Sequence, residues 1–334
     1  MASQDVFGQL IPYEFLVAHY CLEGTVHSGS ARDCATIAAT HLGGLRNKVT
    51  IHPGAGFGAD MWAVHMHGVR QAIGLEVSLA QVQQSELLIR HPDASYACIA
   101  SNKVVQGLYI STKRTNLFAE IRGELSRQLW SHEWVSATGI DNRQCNILNS
   151  DDVEATLGGI QGDAVIGNFL LHTIKCSTVD ALELIAPMVK HEGIVVLSLP
   201  SQTIALDNEE QQRENEQRSI FKQEVFRERL NTIFASLAKQ GINPNPPPQP
   251  ILESDLKKGS PSLKFIGSHS RAFRAAPKRE RDTIAGLLLF VGVLSTDQPA
   301  DNIAPLVRMA MDKPPYAKTN KVGIDVHYFV FRKQ

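Results

Sequence analysis

The chain has 334 residues, 33 Lys plus Arg against 34 Asp plus Glu, a net charge of −1, and 43% hydrophobic and 20% charged residues. This composition is ordinary for a soluble globular protein and excludes wholesale disorder, a collagen-like repeat and a coiled coil. The balanced charge offers no overall basic field for a nucleic acid, so none is expected as a partner.

Residues 1–30 mix polar residues with Phe7, Tyr13, Phe15, His19 and Tyr20, and 31–42 read as a helix with Ser30 as N-cap and Gly43 and Gly44 as stop signals. Together they make an expected N-terminal helical cap over 1–45. An apolar strand at 49–51 runs into a glycine turn, a helical stretch at 60–68 and a second strand at 72–77. Strand, glycine turn, helix and strand in about 30 residues make a βαβ unit with a parallel sheet. Residues 85–140 are too long for a simple crossover; the helical spacing of Leu117, Ile121, Leu125 and Leu129 marks an inserted helical subdomain. Strands follow at 144–148 and 163–168, then a helix at 179–190 and a strand at 194–199 stopped by Pro200. Residues 46–203 thus form the core. Residues 207–240 read as charged helix and 243–250 as a polyproline-type spacer, so 204–321 is expected to be a helical and proline-rich segment on the substrate side. The β-branched and aromatic stretch 324–332, within 322–334, closes the sheet as a terminal strand.

The longest apolar run, residues 284–294, is 11 residues long. A bilayer span needs roughly 20, so the run reads as a buried helix and no membrane partner is expected. MASQDVFGQL lacks the basic and apolar regions of a secretory signal. Cys21, Cys34, Cys98, Cys145 and Cys176 are scattered without a C-x-x-C pair, which suggests neither a zinc site nor a disulfide framework and points to a reducing cytoplasm. His65 and His67 lie two apart on one helix and do not share a face, so no metal site is expected.

The most informative segment is His52-Pro53-Gly54-Ala55-Gly56-Phe57-Gly58. Glycines there allow a sharp turn and let a ligand approach the main chain. Glu76, eighteen residues after Gly58, closes the second strand; a carboxylate at that place suits a ribose diol. The spacing alone leaves two ligands open: Gly54-x-Gly56-x-Gly58 suits a nucleoside methyl donor, and Gly54-x-Gly56-x-x-Ala59 satisfies the loose dinucleotide fingerprint.

The series VTIHPGAGFG, GLEVS, DDVEATL, DAVIGNFLLHTI and ALELIAPMVKHEGIVVLSLP resembles a class I S-adenosylmethionine-dependent methyltransferase over about half of the chain. The resemblance implies an α/β, doubly wound, mostly parallel seven-stranded sheet of Rossmann-like type with a C-terminal antiparallel strand, decorated by a helical cap and insertions. It implies S-adenosylmethionine held by Gly54, Ala55, Gly56 and Gly58, with Glu76 on the ribose and Asp151 or Asp152 at the adenine with Val153 beside the ring. Asn168 falls near the cofactor amine. For Asp151 and Asp152 a helix N-cap role is the alternative. His52 stands where the family often has an acid two residues before the first glycine. His172 follows the fourth strand, where a general base can stand. Tyr13 and Tyr20 of the cap are candidate contacts to a small, partly hydrophobic substrate. The implied activity is methyl transfer to a small organic molecule of secondary metabolism, with the acceptor atom and the oligomeric state open. The alternatives are a cyclisation or rearrangement on the same fold, a nicotinamide-dependent oxidoreductase, or a non-enzymatic interaction module.

Overall fold

The computed structural model describes residues 26–56, 58–91, 139–174, 176–246, 249–274, 280–312 and 323–334. A seven-stranded sheet with the order β3-β2-β1-β4-β5-β9-β8 organises them. Its strands are β1 (Val49–Pro53), β2 (Gln71–Glu76), β3 (Ile140–Gln144), β4 (Gly162–Asn168), β5 (Val189–Pro200), β8 (Leu263–Arg274) and β9 (Gly323–Lys333). Two short strands, β6 (Ile204–Ala205) and β7 (Ile251–Leu252), pair apart from it. β1 lies between β2 and β4 with Ile51 opposite Ile73 and Val165, all in parallel register. β9 alone runs antiparallel, wedged between β5 and β8.

The helices are α1 (Val26–Leu42), α2 (Ala59–His65), α3 (Leu79–Arg90), α4 (Ser150–Leu157), α5 (Thr178–Ile185), α6 (Glu209–Arg218), α7 (Glu224–Ala238), α8 (Glu253–Lys258), α9 (Glu280–Thr296) and α10 (Ala300–Met311). Successive strand residues point to opposite faces, and both faces here are covered, which is why the inner strands hold apolar residues at consecutive positions, as at 164–166 and 194–197, and not in strict alternation. On one face Ala72, Ala164, Ile166, Val196 and Val330 join Cys34 and Ala38 of α1, Val64 of α2 and the α7, α9 and α10 helices. On the other, Ile51, Ile73, Val165, Leu197 and Phe329 join Leu157 of α4, Leu182 of α5 and Leu256 of α8. No described helix is long and apolar enough to cross a membrane, and the apolar run 284–294 lies inside α9.

Several boundaries differ from the sequence expectation for local reasons. Ser30 lies inside α1, past its first described residue Val26, and its hydroxyl donates to Asn168 instead of capping the helix. β3 ends at Gln144, where a strand was expected to begin; Asn149 then caps α4 through the amides of Asp151 and Asp152. The helix expected over 179–190 ends at Ile185, and β5 starts at Val189, where Lys190 ties to Asp163 of β4 at 2.9 Å. The charged 207–240 helix breaks at Ser219. β8 is a core-sheet strand inside the segment expected to be helical and proline-rich. It is an edge strand exposed along most of its length, so its sequence carries no clean apolar alternation. Tyr13, Tyr20, the first 25 residues of the cap and 92–138 of the insertion lie outside the described residues.

Candidate functional site

All five residues of β1 are buried, and the chain turns directly after Pro53 at the carboxyl edge of the sheet. Gly54, Gly56 and Gly58 take φ values of 67°, 52° and 86°, a region that costs an L-residue about 1–2 kcal/mol. A Cβ on Gly54 would stand 2.8 Å from Leu170 Cδ1, and one on Gly58 2.7 Å from Met61 Cε. Leu75 O of β2 accepts from Gly54 N at 2.8 Å, and Ala55 O accepts from Gly58 N at 2.8 Å. Ala55 itself is buried.

The peptide groups of Gly56 are held from both sides. Its N–H donates to Glu76 Oε2 at 2.9 Å, and its carbonyl accepts from Asn142 Nδ2 at 3.0 Å. Glu76 Oε1 accepts from Ser78 N at 3.0 Å. Burial raises the Glu76 pKa, and the amide donors of Ser78, Gly56 and Val77 oppose that rise. Glu76 therefore shapes the loop before any ligand is considered. Asn142 went unnoticed in sequence because it faces the loop only once β3 is in register, opposite Gly74.

Beyond β3 the expected adenine residues divide. Asp152 Oδ2 accepts from Asn146 N at 2.6 Å, closing its own loop, while Asp151 is exposed in the first turn of α4. Asn149, not the aspartates, is the N-cap. Val153 is buried in the core on the α4 side. Three exposed apolar side chains stand beyond β2 and β3, Val77 and Leu148 in the turns and Leu79 at the start of α3, and Gln144 Nε2 donates to Val77 O at 3.4 Å.

The β4 side of the loop is more polar. Asn168 Oδ1 accepts from Ser30 Oγ at 2.7 Å and from Ser198 Oγ. Phe169 follows in the left-handed region at φ 57°, its N–H donating to Ser198. Asp60, in the first turn of α2, is buried beside Asn168, and its Oδ1 has no hydrogen-bond partner among the described residues. Burial raises its pKa to about 7, against hydrogen bonding from Asn168. Sequence reading passed over Asp60 because a lone acid in a first helical turn is ordinary.

His52 is wholly buried, with Nε2 2.9 Å from Thr50 Oγ1 and Nδ1 unpartnered among the described residues. Burial lowers its pKa to about 3, so the ring is neutral. His172 stands in the single turn Leu171–Thr173 after β4, half-buried, with Nδ1 sealed and unpartnered among the described residues. Burial lowers its pKa to about 4, below the value near 6.5 expected of an open ring. Leu170 of the same segment touches the loop at Gly54. Among the described residues no group of three His, Cys, Asp or Glu could hold a metal ion.

No protein-family model matches the sequence, and no curated protein matches it. Similar solved structures include coclaurine N-methyltransferase bound to N-methylheliamine and S-adenosylhomocysteine, at 11% identity over 91% of this chain and 73% of that one, TM-score 0.44. Geranyl diphosphate C-methyltransferase from Streptomyces coelicolor A3(2) is similar at 11% identity over 90% and 78%, TM-score 0.37. The cyclase SpnF is similar at 12% identity over 90% and 80%, TM-score 0.41. At such values the architecture is read from the sheet itself. A doubly wound dinucleotide fold runs 3-2-1-4-5-6; here an antiparallel strand is wedged between the fifth strand and the edge strand, giving β3-β2-β1-β4-β5-β9-β8. With its glycine turn after β1 and its acid closing β2, the chain has the Rossmann-like fold of the class I S-adenosylmethionine-dependent methyltransferases.

Proposed function

We propose that the chain is an S-adenosylmethionine-dependent methyltransferase acting on a small organic molecule. The observation that carries this reading is the cradle after β1: three left-handed glycines, with Gly56 held at its N–H by Glu76 and at its carbonyl by Asn142. Glu76 accepts from the backbone amides of Gly56, Ser78 and Val77, and the acceptor capacity a carboxylate has left beyond three donors suits it to a ribose diol. Val77, Leu79 and Leu148 offer apolar surface beside it for a purine ring. The bound cofactor would supply an electrophilic methyl group on a sulfonium. Neutral His52 does not repel that cation. Methyl transfer needs alignment and exclusion of water above all, and His172, neutral at physiological pH, can accept the proton of an acceptor hydroxyl or amine.

A thermal-shift measurement tests the reading. S-adenosylhomocysteine at about 100 times its dissociation constant should stabilise the chain by about 2.7 kcal/mol, and NAD should leave it unchanged. Stabilisation by NAD alone would contradict the reading.

A further inference from the structure

We propose that Ser198 of β5 is a positioning residue: through Asn168 and Phe169 it sets the bend after β4 that seats Leu170 against the glycine loop and carries His172 into the site. This rests on the reading of His172 given above and adds a residue of β5, a strand to which that reading assigns nothing.

Ser198 is a wholly buried hydroxyl in a stretch of β5 whose other residues from 194 to 199 are apolar. A buried hydroxyl costs stability unless it is hydrogen-bonded, and this one is tied to the end of β4. It donates to Asn168 Oδ1 and accepts from the Phe169 N–H at 3.1 Å. The thiol of Cys34 on α1 bonds to the same hydroxyl and completes its capacity. Ser30 of α1 donates to the same Asn168 Oδ1 at 2.7 Å, so both lone pairs of that oxygen are taken. The Asn168 side chain also bonds to Asp60 of α2. Held by α1, α2 and β5 together, Asn168 offers the site chiefly the direction of the chain that follows it.

That direction is unusual. Phe169 has φ 57°, in the left-handed region that is costly for a bulky side chain. The other non-glycine residues with positive φ among the described residues, Asn47, Glu192 and Asp297, are exposed and polar. Phe169 is half-buried at the carboxyl edge of the sheet. Such a conformation persists only where the surroundings impose it. Here Ser198 supplies the Phe169 N–H with its hydroxyl and, also at 3.1 Å, with its carbonyl. The bend has two consequences. Leu170 comes so close to the loop that a Cβ on Gly54 would stand 2.8 Å from its Cδ1. The Leu170 carbonyl then accepts from Thr173 N at 2.9 Å and from Thr173 Oγ1 at 2.7 Å, closing the turn that holds His172. A line of contact therefore runs from Ser198 through Phe169 and Leu170 to Gly54 and His172.

The test follows His172 itself. Its imidazole signal is assigned by comparing proton–carbon NMR spectra of the parent and His172→Gln, then titrated in the parent, Ser198→Ala, Phe169→Gly and the double variant. In the parent the ring should titrate at about 4. In Ser198→Ala the loosened turn admits water, and the titration should move toward the ordinary value near 6.5, while His41 in the last turn of α1 titrates as before. Glycine takes the left-handed bend without strain, so in the Phe169→Gly background Ser198→Ala should add less than half of that movement. By calorimetry, S-adenosylhomocysteine should bind Ser198→Ala about 2- to 10-fold more weakly, the loss of one neutral hydrogen bond. An unmoved His172 titration in Ser198→Ala, or an equal movement in both backgrounds, would overturn the assignment. If the parent binds no S-adenosylhomocysteine and the titration still moves as expected, the positioning role stands and the cofactor reading falls.

Discussion

The two flanks of the glycine loop are built on opposite plans. On the β2–β3 flank the groups that hold Gly56 are spoken for: Glu76 accepts from Gly56 and Ser78, and Asn142 donates to Gly56, leaving Asn142 Oδ1 and Ser85 Oγ as the loose atoms. On the β4 flank Asp60 Oδ1 and His172 Nδ1 are buried without partners among the described residues, and so is His52 Nδ1 on β1 itself. Satisfied groups fix a shape. Unsatisfied buried groups store the capacity to bind, at a cost in stability. The contrast separates residues that make the cradle from residues that await its occupant, and substitutions on the two flanks should move stability in opposite directions.

The largest effect is expected at Glu76. Glu76→Ala removes the acceptor that shapes the loop and the one offered to the ribose. S-adenosylhomocysteine affinity should fall by about 10²–10⁴-fold, two charge-assisted bonds of about 1.5–3 kcal/mol each. Chemical denaturation should also show a less stable chain. A destabilised variant with unchanged affinity would reduce Glu76 to a loop brace.

Asp60→Asn should do the reverse to stability. Folding raises the Asp60 pKa from 3.8 to about 7, so the folded chain holds a proton that the unfolded chain has released. Stability therefore falls as pH rises from the unfolded value through the folded one. A shift of that size corresponds to at most about 4 kcal/mol. The variant should be more stable than the parent at pH values above about 7 and should lose that advantage in acid. Cys34 and Asn168 face the carboxyl and remain unchanged. Denaturation curves across pH check this, and a loss of stability above neutrality would show that the hydrogen bonds from Asn168 outweigh the cost of burying the charge.

His172→Ala should lower turnover by about 10²-fold, the low end for a general base, because a weakly basic ring takes a proton less readily. With its pKa lowered to about 4, the ring stays neutral well below pH 6.5. The pH–rate profile should therefore show no fall near 6.5; a fall there would mean that the ring is open to solvent when the enzyme turns over. The smallest effect is expected at Asp151, exposed in the first turn of α4. Asp151→Ala should change stability and affinity by less than about 0.5 kcal/mol, and a tenfold loss of affinity would return it to the adenine site.

Much of the sheet and the glycine loop was legible in the sequence, because each has a local signature. β1 and β4 each carry β-branched apolar residues in a short buried stretch, and the loop needs residues tolerant of positive φ. Two kinds of feature were not legible. β8 is an exposed edge whose partner β9 lies about sixty residues away, so no local alternation marks it. Asn142 and Asp60 gain meaning from register and burial, which bring them to Gly56 and Asn168 across long stretches of chain. The capping of α4 shows a narrower failure: Asn149 is as good a cap as either aspartate, and the position of the β3 turn decides among them.

The most direct test of the cradle is a calorimetric titration of S-adenosylhomocysteine into the parent chain and into Glu76→Ala, with NAD as the control. The account predicts single-site binding to the parent, a loss of at least about 10²-fold in Glu76→Ala and no heat from NAD. Binding of NAD in place of S-adenosylhomocysteine, or equal S-adenosylhomocysteine affinity in the two proteins, would contradict it.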